Sequence, residues 1–471
     1  MKNIYEHIKF GTDGWRAVIA KEFTFDNVAI IAQAIADYLN FEKIENPSVA
    51  LGYDTRFMSK MFAEKIAQIL ASNGVSTVLS HAFIPTPVLS FAVKNNNLSA
   101  GVMVTASHNP CIYNGVKFKG PYGGSAMVEL TQSIESYLGK NPIKESGQTE
   151  VKIIDMFEAY QKHLATLVDV EAIRSLNKKI AFSAMYGAGC GYLDKILWGG
   201  KLEILSIQNE PRPDFNQILP EPIAQNLSEL IQIVKNSDCI AGFATDGDGD
   251  RFGVLDETGE FVQLHDLMPI LFEYLVKTRN LPGNIVRTTS MSNTIDKIAA
   301  KYHRKVFEVP VGFKNICEKM LQEDILIGGE ESGGFGYKNH VPERDGLLSL
   351  LLVLEMLAKE DVPLSRKVKK LRNEFGPFHY KRIDRHCNVH HTRKNLENLI
   401  QFTPESIAGF AIENINTIDG LKVYFQNGCW MLVRLSDTEP LFRVYVGGND
   451  EQAVNAIIFD AEMILTNSWG Y

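Results

Sequence analysis

The sequence predicts an α/β fold of several domains with mixed sheets, followed by a smaller α+β domain. Three observations lead there. The chain has 471 residues, 45% of them hydrophobic and 22% charged, which is globular composition and too long for one core, so three or four domains are expected. Helical periodicity alternates with short apolar runs through most of its length, the pattern of layered strands and helices. Near residue 420 the alternation stops, and GLKVYFQNGCWMLVRLS sets two strand-like runs around Asn427-Gly428, a strong hairpin signal.

In chain order, apolar residues at helical spacing occur in NVAIIAQAIADYL from Asn27, SKMFAEKIAQIL from Ser59, DMFEAYQKHLATLV from Asp155 and NTIDKIAAKY from Asn293. SVALGYD, VSTVLS, KIAFSAM and KLEILSI have strand length and turn residues at their ends. LLSLLLVLEMLA, from Leu347, contains a glutamate and is too short to span a bilayer, so a buried helix is expected. After the hairpin, FRVYVGG reads as a further strand and the remainder as a helix.

Charge and cysteine usage narrow the function classes. The net charge is −8 with no block of five or six basic residues, which argues against a nucleic-acid surface. The six cysteines are scattered without a C-x-x-C pair, as expected for free thiols in the cytoplasm rather than a disulfide framework or zinc site. MKNIYEHIKFGTDGW, at the start, has no continuous apolar core of the signal-peptide kind. A small-molecule partner is expected, with no membrane or nucleic acid; the oligomeric state has no signature here.

Four times an apolar strand runs into a polar loop: AGVMVT into ASHNP, DCIAGFAT into DGDGDR, DILIGG into EESGG, and WMLVRL into SDTEP. Their anchors, Ser107, Asp246, Glu330 and Ser436, fall one per domain-sized interval, with domains expected at 1–150, 151–258, 259–372 and 373–471. Ligands bind beyond the carboxyl ends of strands in open α/β sheets. The four loops are therefore expected to face one cleft.

In TDGDGDR, glycines let Asp246, Asp248 and Asp250 converge. Two carboxylates about 4 Å apart repel by roughly 4 kcal/mol at an effective dielectric near 20, so three of them require a cation, and oxygen ligands suit Mg²⁺ or Ca²⁺. An EF-hand is the rival, since Glu257 stands at its last position, but Arg251 replaces the obligatory glycine and the flanks read as strands. RLSDTEPLFR offers Arg434, Ser436, Thr438 and Arg443 for a phosphate, although solvated charges after a strand fit it equally. Glu330 and Ser332 suit sugar hydroxyls, and Arg16 follows the turn in GTDGWR. Ser107 and His108 are adjacent, so on an extended chain they point to opposite sides, and no G-x-S-x-G elbow is present. Alone, the segment reads as a turn. Beside a metal loop and a phosphate loop, a serine that carries a phosphoryl group fits better.

TASHNP (105–110), DGDGDR (246–251), GEESGG (329–334) and RLSDTEP (434–440) resemble the phosphoserine, metal, sugar and phosphate loops of the α-D-phosphohexomutase family, in that order. GTDGWR (11–16) and MYGAGCGYL, from Met185, resemble two further family segments. The resemblance implies three related α/β domains with mixed sheets plus a C-terminal α+β domain around a central cleft. It implies Ser107 as the phosphorylated nucleophile, and Mg²⁺ held by Asp246, Asp248 and Asp250 with the serine's phosphate, Arg251 following them. Glu330 and Ser332 match the sugar loop; Arg434, Ser436, Thr438 and Arg443 match the site of the non-reacting phosphate. Arg16, His108 and Lys117 (in YNGVKFKG) match positions lining the catalytic centre, and Lys314 (in PVGFKNI) a lysine of the glucose-handling branch. As a proton shuttle, Lys117 would need a lowered pKa.

The implied reaction moves a phosphoryl group between C1 and C6 of a hexose phosphate. GEES, PVGFK and PERDG resemble the phosphoglucomutase branch, with glucose 1,6-bisphosphate as intermediate and activator. Other branches end the sugar loop as SGH, where this chain has Gly334; Asp437 stands where glycine or asparagine is common. Mannose, glucosamine and pentose phosphates are the alternatives with the same chemistry. A non-enzymatic divalent-ion or sugar-phosphate-binding protein is the alternative of another class.

Overall fold

Three of the four sheets repeat one topology. The structure, a computed structural model, describes residues 5–469 except 6, 12, 43, 147–149, 388 and 437–440. The first sheet holds β1 (Trp15–Val18), β2 (Ser48–Tyr53), β3 (Ser76–Ser80), β4 (Ala100–Val104), β5 (Tyr113–Lys119) and β6 (Lys152–Ile154), in the order β1-β5-β4-β2-β3-β6. It takes in β6 just past the boundary expected at 150. The second holds β7 (Lys179–Ser183), β8 (Glu203–Ile207), β9 (Cys239–Thr245) and β10 (Phe252–Leu255), ordered β10-β9-β7-β8. The third holds β11 (Asn284–Thr288), β12 (Val306–Val309), β13 (Ile325–Gly329) and β14 (Phe335–Tyr337), ordered β12-β11-β13-β14. In each, a central strand lies parallel to two neighbours, and a further strand pairs antiparallel to one of these: β5 on β4, β10 on β9, β14 on β13. The loop leading into that antiparallel strand is the polar loop in all three cases.

The fourth domain is built differently. β15 (His379–His386), β16 (Ser406–Ile407), β17 (Phe410–Asn416), β18 (Leu421–Phe425), β19 (Trp430–Leu435) and β20 (Leu441–Gly448) form an antiparallel sheet ordered β15-β20-β19-β18-β17-β16. Helices Val389–Gln401 and Glu451–Trp469 accompany it. The hairpin expected at Asn427-Gly428 joins β18 to β19, and Asn427 Oδ1 accepts from the Cys429 N–H at 3.0 Å.

Local chemistry accounts for the elements. The first long helix, Phe25–Phe41, starts where Thr24 Oγ1 accepts the Asn27 N–H at 3.3 Å, and it buries Val28, Ile31, Ile35 and Leu39. The leucine-rich stretch is helix Gly346–Glu360, capped by Asp345, whose Oδ1 accepts from Leu348 N at 2.8 Å. Every residue from Gly346 to Leu357 is buried. Apolar on all sides, it packs within a continuous core shared by the first three domains. The fourth domain keeps a core of its own, whose buried residues run from Leu396 to Leu465. None of the described helices is long and apolar enough to cross a membrane.

Candidate active site

The Ser107 loop begins where β4, buried on both faces, ends. Thr105 Oγ1 accepts the Ser107 N–H at 2.9 Å, and Ser107 takes a left-handed φ of 51°. That conformation costs a non-glycine residue on the order of 1 kcal/mol or more and needs its surroundings to hold it. Arg56 does so: its guanidinium donates to the carbonyls of Ser107 and Asn109 at 2.6 Å, Pro110 at 2.8 Å and Tyr113 at 3.1 Å. Asp54, 3.2 Å from Arg56 Nε, balances the buried charge. Sequence reading missed Arg56. Its one signal was a charged pair, Asp54 and Arg56, directly after the strand SVALGY.

Ser107 Oγ donates to Asp246 Oδ2 at 2.8 Å. The two loops meet because residue 247 is glycine: a Cβ there would lie 2.4 Å from the Ser107 carbonyl. Asp246, Asp248 and Asp250 are fully buried, with potential ligand oxygens all within 4.8 Å of one another. The flanking elements are β9 and β10, which excludes the helix–loop–helix of an EF-hand. The donor set fits a hard divalent cation. Asp248 Oδ1 and Asp250 Oδ1 are buried without a hydrogen-bond partner among the described residues. Burial, reinforced by the charges of Asp248 and Asp250, pushes the Asp246 carboxyl well above the usual range. A divalent ion would relieve both.

Cations from two other domains close around the triad. Lys117 Nζ, on β5, lies 2.7 Å from Asp248, 2.8 Å from Asp250 and 2.7 Å from Asp13. Arg344 donates to Asp250 at 2.7 Å and also to Asp13, and Lys119 lies 2.6 Å from Glu343. Burial alone would lower the Lys117 pKa, but Asp13, Asp248 and Asp250 outweigh it and raise the pKa above its ordinary value. In this arrangement Lys117 is paired as an ammonium with Asp13, Asp248 and Asp250. His108 differs. Burial, then the positive charges of Arg251, Arg16 and Lys117, hold its pKa well below the usual histidine value, so it is neutral. Its Nδ1 lies 3.5 Å from Ser107 Oγ, and the hydroxyl's short bond goes to Asp246 instead. Arg16 donates to Asn109 Oδ1 at 2.7 Å, and the Arg251 N–H donates to Asp246 Oδ1 at 3.1 Å.

This cluster borders a cleft of about 720 Å³ lined by residues of all four domains, among them Arg16, His108, Arg251, Lys314, Glu330, Ser332, Arg434, Ser436 and Arg443. Glu330 Oε1 accepts the Gly312 N–H at 3.0 Å; burial, opposed by Arg344 and aided by Glu331, raises its pKa to about 7. A Cβ on Gly334 would lie 2.2 Å from Arg344 Cδ, so a histidine there would displace the arginine that holds Asp13 and Asp250. In the fourth domain Arg434 and Arg443 are paired across β19 and β20. Arg434 Nε donates to Asp419 Oδ1 at 2.9 Å, and Arg443 Nε lies 3.5 Å from Asp384. Arg382 and His386, on β15, also line the cleft; they sit in no motif, and only the cations of KRIDRH marked them. Thr438 and Asp437 lie outside the described residues.

Comparison with known proteins agrees with this arrangement. The chain matches four family descriptions in succession: phosphoglucomutase/phosphomannomutase alpha/beta/alpha domain I over residues 7–144, domain II over 158–259, domain III over 264–375, and the C-terminal domain over 388–462. It is 30% identical to a phosphoglucomutase/phosphomannomutase of Thermococcus kodakarensis, covering 94% of this chain and 95% of the relative. It is 31% identical to a phosphoglucosamine/phosphogalactosamine mutase of Sulfurisphaera tokodaii, covering 97% and 98%. A crystal structure from Thermus thermophilus, carried under a phosphomannomutase name, superposes with a TM-score of 0.86 at 33% identity, covering 98% of this chain and 99% of that one. The chain thus belongs to the phosphoglucomutase/phosphomannomutase family of phosphohexomutases, isomerases that move a phosphoryl group within a sugar phosphate.

Proposed function

We propose that the enzyme interconverts glucose 1-phosphate and glucose 6-phosphate through phospho-Ser107 and glucose 1,6-bisphosphate. One observation carries the reading: a single cleft is lined by His108, Asn109 and Arg251, the chain neighbours of the buried Ser107–Asp246 contact and metal loop, and also by Arg434, Ser436 and Arg443. A ligand with a phosphate at each end matches that arrangement. On the sugar side, the Lys314 ammonium makes no hydrogen bond or ion pair among the described residues, and Lys314 lines the same cleft as Glu330. An uncompensated cation suits the neutral hydroxyl of glucose better than the ammonium of glucosamine. The carboxylates of Glu330 and Glu331 favour the second reading, glucosamine phosphate, which the name of the Sulfurisphaera relative also suggests.

In this mechanism Asp246, Asp248, Asp250 and the serine's phosphate would hold Mg²⁺, which when bound neutralises charge on the transferring phosphoryl group. Arg56 and the left-handed φ keep Ser107 Oγ beside Asp246. The sugar hydroxyl attacks phosphorus as the Ser107 Oγ–P bond breaks. Neutral His108 accepts the hydroxyl's proton. Arg434 and Arg443 grip the phosphate that does not react. When the bisphosphate turns over, the two phosphates exchange places, and the reverse transfer restores phospho-Ser107. Burial of the transfer site keeps water from intercepting the phosphoryl group.

The test is kcat/KM for glucose, mannose, glucosamine and ribose 1-phosphates with Mg²⁺ and the matching bisphosphate. Glucose 1-phosphate should be the best substrate, and a better rate with any other overturns the sugar assignment. Ser107→Ala should lose both turnover and the phosphoryl mass on its peptide; a fully active variant would end the phosphoserine mechanism.

A further inference from the structure

We propose that Asp419 is a positioning residue that ties the phosphate-gripping Arg434 of the fourth domain to the sugar-side loop of the third. It rests on the reading of Arg434 as a ligand of the non-reacting phosphate. Asp419 lies in the turn between β17 and β18, outside all four polar loops. Its Oδ1 accepts from Arg434 Nε at 2.9 Å; its Oδ2 accepts the Val311 N–H at 2.9 Å and the Thr289 hydroxyl at 3.3 Å. Val311 is followed by Gly312, whose N–H bonds Glu330 Oε1 at 3.0 Å, and then closely by Lys314. One carboxylate thereby spans an arginine on β19 and the segment that holds Glu330.

An arginine side chain has many rotamers, and ordering it only on binding would cost affinity. Arg434 is held from one side by Asp419 while it borders the cleft the phosphate enters. The bond to Val311 gives that orientation a consequence in the third domain. Phosphate seated on Arg434 and sugar seated against Glu330 are then referenced to one carboxylate, and each favours the geometry the other needs. Attachment of the domain does not depend on Asp419 alone. Lys422 Nζ, on β18, donates to the Thr289 carbonyl at 2.6 Å and to Glu308 at 2.8 Å, and lies 4.7 Å from the Trp430 ring centroid.

The test is steady-state kinetics with glucose 1-phosphate on Asp419→Ala, Asp419→Asn, Arg434→Ala and the Asp419→Ala/Arg434→Ala double variant. Loss of a charge-assisted hydrogen bond predicts a KM about tenfold higher in Asp419→Ala, with kcat changed less than about threefold. Asp419→Asn, which sets an amide against the guanidinium, should shift KM in the same direction, and it carries the comparison if the alanine variant does not fold. Because part of the effect of Asp419 passes through Arg434, the KM rise in the double variant should be smaller than the product of the two single rises. A KM that rises multiplicatively in the double variant overturns the proposal, as does an unchanged KM in both Asp419 variants while Arg434→Ala raises it. An unchanged KM in Arg434→Ala overturns the phosphate reading itself.

Discussion

At the Ser107 end of the cleft, three domains bridged by one apolar cluster in addition to their own meet around carboxylates with no solvent exposure, whereas the Arg434 end is carried by one antiparallel sheet whose core joins none of the others. The first end is crowded with cross-domain ion pairs: Lys117 to Asp248 and Asp250, Arg344 to Asp13 and Asp250. The second is tied to the third domain by a few polar bonds from Asp419 and Lys422. The difference matches two different tasks. Phosphoryl transfer demands fixed geometry and exclusion of water. In the proposed mechanism the Arg434 end holds one phosphate, releases it and accepts the other within each turnover, which a rigidly fused domain would slow.

If that division is correct, damage at the two ends separates kinetically. Chelation of divalent ions, or Asp248→Asn, should lower kcat by roughly a thousandfold or more while KM stays within about threefold, since the metal site acts on the transferring group. Full activity after exhaustive chelation would break the comparison at its stronger end. Arg443→Ala should do the opposite, raising KM by about tenfold to a hundredfold with a modest change in kcat. Equal losses in kcat from both variants would show that the ends do not divide the work.

The smallest effect concerns Glu330, between the two ends. Its pKa is about 7 in the folded enzyme against an ordinary 4.5, so the folded state holds its proton more tightly than the unfolded chain. The stabilisation is complete below pH 4.5 and is lost as pH rises through 7. Urea unfolding across that range should show wild type losing about 3 kcal/mol relative to Glu330→Gln. Parallel pH profiles for the two proteins would remove Glu330 as a buried, strained carboxyl.

Much of this molecule is legible in contiguous residues. The α/β alternation, the hairpin at Asn427-Gly428 and the buried leucine helix follow from short-range pattern, because periodicity and turn chemistry act within a few residues. The loops around Ser107, Asp246, Glu330 and Ser436 were legible because each carries its chemical groups in one run. Arg56, Asp13, Arg344 and Asp419 were not, because their roles depend on partners far along the chain. Arg56 meets the Ser107 carbonyl across 51 positions, and Arg344 meets Asp13 across 331.

By itself, then, the sequence determined which residue types stand at the ends of which strands, and with them the family and the class of reaction. Tertiary structure alone decided their state. It paired Lys117 with Asp13, Asp248 and Asp250, gave the Ser107 hydroxyl to Asp246 rather than His108, and placed Arg344 where a side chain at Gly334 would stand. The reason is that a residue's type is local, whereas its charge and hydrogen bonds are set by whatever the fold packs within a few ångströms of it.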